Sequence, residues 1–468
     1  MGNVEGLGVA LPPAFRARVE AEVPGLAEAL DGPAPVSVRL NPFKPLLVSS
    51  PELPAGGEPV PWTVPGEACY LTDRPVFTAD PVFHGGAYYV QEAGSMFVGW
   101  LLRRILQTTG IAAPKVLDLC AAPGGKTTQI ASVAGANGIV VANETIRSRA
   151  RILAENVQKW GSGNVAVTSN DPVDFGGRIE GFFDVIVTDV PCSGEGMFRK
   201  DPASRGMWSP EAVQLCAARQ RRIVSDVWRA LRPGGVLIYS TCTFNAVENE
   251  ENVRWVAEEL GGEVLDFDGV PEEIVTTGAG WHFYPHRVRS EGFYAAAIRK
   301  TGELDANGRT LGKTKRNTEL ASLIKSELSE AQRWIDGDEW LFGRVGEGTV
   351  YGFSPEMYRT VETLRAARFG LLYSGVELGE LVRGSLKPAH ALALYAGVNR
   401  QAVAVAELDD EAAREYLRKG TDAAALPVER FAEGLNLVVC RGIALGWAKR
   451  IERRYNNLYP AAWRVLRY

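Results

Sequence analysis

Apolar residues recur at helical spacing through residues 91–108, with Met96, Trp100, Leu101 and Ile105 on one stripe, which predicts a helix. Beyond it the pattern changes to short, nearly unbroken apolar runs. These predict strands at 115–120, 138–142, 165–168, 183–188 and 236–240, with a late one at 293–298. Helical patterns fill the intervals at 127–133, 146–160 and 209–231, the last stopped by Arg232-Pro233-Gly234-Gly235. Strands that alternate with helices and carry few polar residues imply a parallel sheet covered on both faces. The expected class is α/β.

The flanks read differently. Residues 1–90 mix short apolar runs with many prolines. They suggest a small α+β unit with a possible strand at 37–41 and a Pro/Gly-rich loop at 51–65. Residues 301–318 are polar and contain glycine, as a linker does. A small mixed domain is expected at 319–385, and a short-stranded one with a basic tail at 386–468, leaving 91–300 as the central domain.

Bulk composition narrows the possible functions. Of 468 residues, 46% are hydrophobic and 23% charged, ordinary proportions for a globular protein. The net charge of −5 means that any nucleic-acid binding must use local basic surface. The six cysteines form no C-x-x-C pair and have no histidine at zinc-ligand spacing. Neither a disulfide framework nor a metal site is expected, and a reducing cytoplasm suits them. The first residues lack the basic start and apolar run of a secretion signal. No stretch approaches the roughly 20 apolar residues of a membrane helix. A cytoplasmic protein, away from membranes, is the expectation.

In a parallel sheet, ligands sit beyond the carboxyl ends of the strands. Those ends carry Asp118, Glu144, Asp171, Asp189 and Cys242. The first strand-to-helix turn reads Asp118-Leu119-Cys120-Ala121-Ala122-Pro123-Gly124-Gly125-Lys126. Its small residues allow close backbone approach, and the helix start offers free N–H groups. A phosphate-binding P-loop would need glycine where Cys120 stands. Glu144 suits ribose hydroxyls and Asp171 an adenine edge, although an exposed loop acid is an equal alternative for Glu144 alone. As a set, these acids point to a nucleoside-bearing cofactor.

Cys192 follows the fourth strand in Asp189-Val190-Pro191-Cys192-Ser193-Gly194, and Cys242 ends the fifth in Tyr239-Ser240-Thr241-Cys242-Thr243. If those strands are neighbours, both thiols face one pocket. Methylation at carbon 5 of a cytosine needs such groups. A thiolate adds at carbon 6, an acid or hydrogen-bond partner serves ring nitrogen 3, and the carbon 5 proton must then leave. Cys242, Asp189 and Cys192 are residue types able to do this. Two buried structural cysteines are the competing reading. Enzymes that methylate exocyclic amines often place an aromatic where Cys192 stands, which favours carbon chemistry here.

The segments DLCAAPGGKTTQIA (118–131), DVPCSGEGMFRKD (189–201) and YSTCTFNAVENEENV (239–253), with SVRLNPFK (37–44), resemble the RNA 5-methylcytosine methyltransferases of the RsmB/NOP family, in particular its bacterial ribosomal RNA branch. The resemblance implies a Rossmann-like core that uses S-adenosyl-L-methionine, held by Asp118, the turn from Cys120 to Lys126, Glu144, Asp171 and Asp189. It implies Cys242 as nucleophile and Cys192 in release, with Lys126 near the reaction centre. Val190 stands where the family usually has Ala. Glu248, Asn249 and Glu250 match a family run, or simply start a solvated helix. The implied substrate is 16S rRNA in the 30S subunit, bound by a monomer. Transfer RNA, or a weakly active assembly role, are alternatives.

Residues 441–468 hold seven Lys or Arg and one acid, interleaved with Trp447, Tyr455, Tyr459, Trp463 and Tyr468. The stretch 446–460 resembles a PUA-like RNA-binding module. The expected RNA contacts are Trp447, Lys449, Arg450, Arg453 and Arg454, with Arg39 from the N-terminal region. A solvated basic edge over core aromatics is the other reading. The target cytosine would have to be flipped out or already unpaired.

Overall fold

The computed structural model of the chain describes residues 9–45, 57–302, 320–337, 339–345, 348–420 and 424–466. The expected linker at 301–318 falls, from 303 on, outside the described residues, as do Arg467 and Tyr468 of the basic tail.

A ten-stranded sheet forms the centre. Its parallel part runs Val165–Thr168, Ile139–Asn143, Lys115–Asp118, Phe183–Asp189, Leu231–Thr241. Every residue of Ile139–Asn143 and Val165–Thr168 is buried, because helices cover both faces. Val116, Val140, Val185 and Ile238 face the helices Phe97–Thr109, Gly125–Ala134 and Arg147–Trp160. Their neighbours Leu117, Val141, Ile186 and Leu237 face Pro210–Trp228 and Glu250–Glu259 on the other side. The antiparallel strand Phe293–Lys300 follows beside Leu231–Thr241.

The chain winds outward from Lys115–Asp118 to Val165–Thr168, then crosses back to Phe183–Asp189 on the opposite side. The crevice lies where this order reverses, between Lys115–Asp118 and Phe183–Asp189.

Two features depart from the sequence reading. The helix ends at Trp228, and Arg232-Pro233-Gly234-Gly235 belongs to the strand Leu231–Thr241. Proline and glycine are tolerated there because the ladder with Phe183–Asp189 breaks register at that point, while Arg232 Nε donates to Asp184 Oδ1 at 2.6 Å. Residues 319–385 do not stand apart either. Leu371–Ser374 pairs antiparallel with Val165–Thr168 and extends the central sheet. The helix Pro355–Ala366 buries Met357, Val361 and Leu364 in the core of the second face.

The N-terminal four-stranded sheet, which includes Val36–Leu40, Ala68–Leu71 and Tyr88–Val90, packs on Ile443 of the C-terminal sheet Ala404–Leu408, Gly434–Cys440, Ile443–Ile451 and Arg454–Asn457. Arg441 pairs with the buried Asp80 across that junction, and Arg414 Nε donates to Ala79 O at 2.8 Å. Among the described residues, no helix is long and apolar enough to cross a membrane.

Candidate active site

The turn after Lys115–Asp118 opens a cleft of about 490 Å³ at the crevice. Cys120, Ala121, Ala122, Pro123, Gly125, Lys126 and Asp189 line it, and Tyr89, Gln91, Glu92 and Ser95 from the N-terminal region close it. Gly124 begins the helix with φ +118, a conformation that favours glycine. A Cβ on Gly125 would stand 3.3 Å from the Tyr89 ring, so the backbone lies open to the cleft only without one.

Beneath the turn, Asp118 Oδ2 accepts a hydrogen bond from Thr127 at 2.6 Å, while its Oδ1 is buried without a partner. Burial pushes this carboxyl up to about 7, against the opposing pull of the Thr127 bond and Lys126. Lys126 Nζ reaches Asp189 Oδ2 at 2.8 Å, and Ser240 Oγ donates to Asp189 Oδ1 at 3.0 Å. Burial alone would depress the lysine. The charges of Asp189 and Asp118, with Cys242 nearby, outweigh it, so Lys126 is held above its ordinary value and stays protonated.

Strands Phe183–Asp189 and Leu231–Thr241 are neighbours, in register at Asp189 and Ser240. Their loops therefore emerge side by side, and the Cys192 and Cys242 sulfurs lie 3.3 Å apart. The contact with Cys242, then burial, hold the Cys192 thiol well above the usual cysteine range, so it keeps its proton.

What locks the two cysteine loops together is a buried polar network of which the sequence reading noted only Glu248. Gly196 N–H donates to Cys242 O at 2.8 Å, and Ser193 Oγ meets Thr243 Oγ1 at 2.9 Å. Asn245 Nδ2 donates to Glu248 Oε1 at 2.8 Å and to Glu195 Oε1 at 3.2 Å. Glu248 Oε2 accepts from Ser193 N–H at 3.0 Å and Gln220 Nε2 at 2.7 Å. Burial raises the Glu248 carboxyl in spite of these bonds. Glu195 also accepts from Arg18, Trp208 and the Phe244 N–H, so the N-terminal helix Pro13–Glu22 is pinned onto the two cysteine loops. The density of Asn, Glu and Thr just after Cys242 was the only available signal. Arg18, 177 residues upstream of Glu195, carried none.

Other expected site residues stand elsewhere. Glu144 is buried, but its carboxylate takes the Ile146 N–H at 2.9 Å and pairs with Arg149 at 3.2 Å. Asp171 is exposed and caps the helix Pro172–Arg178 through the Val173 N–H. Neither lines the cleft. Glu250 bonds His282 rather than standing in solvent, and Asn249 is fully buried against Thr241 and Thr243.

Two expected RNA contacts are corrected. Arg39 is 0% exposed. Its guanidinium donates to Gln91, Thr128 and the Gly125 carbonyl and lies over the Trp160 ring, so it braces the Gly-rich turn from below. Trp447 is 1% exposed, donates to Ala389 O and packs edge-on against Trp334, because its strand turns this face inward. Lys449, Arg453 and Arg454 are exposed. Arg450 is half-buried and donates to Phe431 O and Glu452 O.

Comparison with known proteins agrees with this architecture along its length. Residues 111–299 match the family described as 16S rRNA methyltransferase RsmB/F. Residues 11–93 match the N-terminal domain of 16S rRNA methyltransferase RsmF, and 403–465 the methyltransferase RsmF PUA domain. The chain is 32% identical to ribosomal RNA small subunit methyltransferase F of Klebsiella pneumoniae over 97% of its own length and 96% of the relative's. To the protein of that name in Escherichia coli O157:H7 it is 33% identical, over 97% and 96%. A methyltransferase homolog from Pyrococcus horikoshii superposes with a TM-score of 0.52 at 26% identity, covering 62% of this chain and 96% of that one.

Proposed function

The chain belongs to the family of 16S rRNA methyltransferase F, and from that premise we propose that it methylates carbon 5 of a cytosine in 16S rRNA, with Cys242 as nucleophile. The observation that carries this reading is the pair of thiols 3.3 Å apart at the mouth of the crevice, beside the Lys126–Asp189 ion pair.

S-adenosylmethionine fits the cleft: backbone free of side chains at Gly125, open N–H groups at the helix start, and a buried Asp118 oxygen with no partner. When bound, it supplies an electrophilic methyl group. The residues to hold it are Asp118, the turn from Cys120 to Lys126 and Asp189, with Tyr89, Gln91 and Ser95 as the opposite wall. Glu144 and Asp171 belong to this set only if their present partners are exchanged.

Cys242 gives up its thiol proton and adds through sulfur to carbon 6 of the cytosine, so that carbon 5 gains the electron density to take the methyl group. Ring nitrogen 3 takes up that proton as the ring accepts the sulfur, and its N–H then donates to the Asp189 carboxylate at the end of the neighbouring strand, with Lys126 beside it. Solvent takes the carbon 5 proton, the electron pair of that C–H bond re-forms the carbon 5–carbon 6 double bond, the Cys242 sulfur is expelled as a thiolate, and the proton on ring nitrogen 3 is released to restore the neutral base. Cys192, a protonated thiol in contact with that sulfur, assists its release. Lys449, Arg453 and Arg454 supply cationic surface for the RNA, and a monomer acts on the small subunit.

The test uses labelled methyl donor with 30S subunits, naked 16S rRNA and transfer RNA as acceptors. Label at carbon 5 of a 16S cytosine is expected. Label only in transfer RNA would move the substrate class, and none in any RNA would remove the proposal. Cys242→Ala is expected to abolish transfer. Cys192→Ala is expected to accumulate a covalent protein–RNA adduct, seen as a slow band on a denaturing gel. An adduct formed only when Cys192 is present would reverse their roles.

A further inference from the structure

A second cleft, of about 620 Å³, lies behind the cofactor turn, between the N-terminal sheet and the end of the helix Arg147–Trp160. The partly exposed rings of Phe83 and Tyr89 form its walls over a floor of the buried Tyr88 and Trp160, with Lys159 and Asn156 as polar groups. It shares Tyr89 and Val90 with the cofactor cleft, so the two are contiguous.

The walls are built rather than incidental. Tyr88 is fixed by its hydroxyl on Asp80 Oδ2 at 2.9 Å. Trp160 is held by Ser132 Oγ at 3.2 Å and by the Arg39 guanidinium 4.5 Å from its ring. Asn156 Nδ2 donates to Pro123 O at 2.8 Å, which ties the wall to the cofactor turn. The Lys159 ammonium lies 4.7 Å from the Trp463 ring of the C-terminal module and forms no ion pair among the described residues. The N-terminal sheet and the helix Arg147–Trp160 thus meet at one aromatic, cationic cleft, which the C-terminal module reaches only through the contact of Trp463 with Lys159.

We infer that this cleft receives an unpaired nucleotide of the RNA substrate, with the base against the Phe83 and Tyr89 rings and a phosphate on Lys159. Flat aromatic walls suit an unstacked base, and an ammonium without a carboxylate partner suits a phosphate. The methyl donor is a poorer occupant. It carries cationic groups that Lys159 would repel, and the cleft has no acid to accept ribose hydroxyls. The inference rests on the reading of this chain as an RNA methyltransferase and adds a place where the strand is gripped away from the thiols.

The experiment uses the full chain and a short fluorescein-labelled single-stranded RNA, followed by anisotropy across a salt series. Donor affinity is measured separately by calorimetry. Phe83→Leu and Lys159→Gln are each expected to weaken RNA binding about tenfold, as loss of one stacking or phosphate contact does. Lys159→Gln should also lower the salt slope by about one, and Lys159→Arg should restore it. With 16S rRNA as acceptor, KM should rise and kcat at saturation stay within about twofold. Unchanged RNA affinity and salt slope would overturn the inference. So would a shift confined to donor affinity, which would assign the cleft to the cofactor. Wild-type protein that transfers methyl to no RNA would defeat the function instead, while the anisotropy measurement would still decide the cleft.

Discussion

At the residue scale, chemistry follows from how each side chain is buried. Cys120 and Cys192 are both cysteines in small-residue turns, yet burial among acids keeps Cys120 a protonated thiol within the Gly-rich turn, while Cys192 touches a second sulfur. Arg39 is the opposite lesson: a charge on an expected strand, read as an RNA contact, is fully enclosed, with burial bringing it down to about 9. Asp118 gives a pH prediction. Its carboxyl is raised from 3.8 to about 7 in the folded chain, so between those values the folded state holds a proton that the unfolded chain has released. Stability must therefore fall as pH rises across that window. Chemical denaturation midpoints of Asp118→Asn should decline less between about pH 4 and pH 7 than those of the unmodified chain. Parallel curves would show that Asp118 is ionised throughout.

At the element scale, the helix Pro13–Glu22 acts on the site without touching it. Phe15 packs edge-on against Phe198 at 5.0 Å and against Trp208 at 5.6 Å. Arg18 Nη2 meets Glu195 at 2.8 Å, where the carboxylate is 0% exposed. Arg18→Ala would leave that acid with only neutral donors, a loss of about 2 kcal/mol for a buried group deprived of one charged partner. The cysteine loops should loosen with it, so kcat is expected to fall while donor affinity, which the proposed function assigns to the turn at Cys120–Lys126, stays constant. An equal loss of both would mean that the helix supports the whole crevice. The strand and helix positions of the core were legible from apolar runs, because a parallel sheet buried on both faces leaves few polar residues to blur them. The segment Arg232–Gly235 was misread for a physical reason: Pro and Gly usually end an element, and only pairing across a register break lets a strand begin with them.

At the scale of the whole molecule, the C-terminal third completes the central sheet. Leu371–Ser374 covers the edge of Val165–Thr168, and Phe353, Met357, Val361 and Leu364 join the core of the second face. A chain ended after residue 302 would expose both an unpaired strand edge and that apolar face, which favours association between copies. Such a truncation is expected to elute as aggregate on size exclusion and to bind donor poorly. A monodisperse, donor-binding fragment would show that residues 91–300 fold as an independent unit.

Local pattern determined the alternation of strands and helices, the Gly-rich turn and the presence of two cysteines at successive strand ends, since each depends on neighbours within a few residues. Tertiary structure alone decided which groups meet. It brought the two sulfurs to 3.3 Å, set Arg18 against Glu195 and closed the cofactor cleft with Tyr89, Gln91 and Ser95. It also turned Arg39 and Trp447 inward and left Asp171 as an exposed cap. Burial and long-range contact are properties of packing among distant segments, and the linear order of residues carries no measure of either until the sheet has formed.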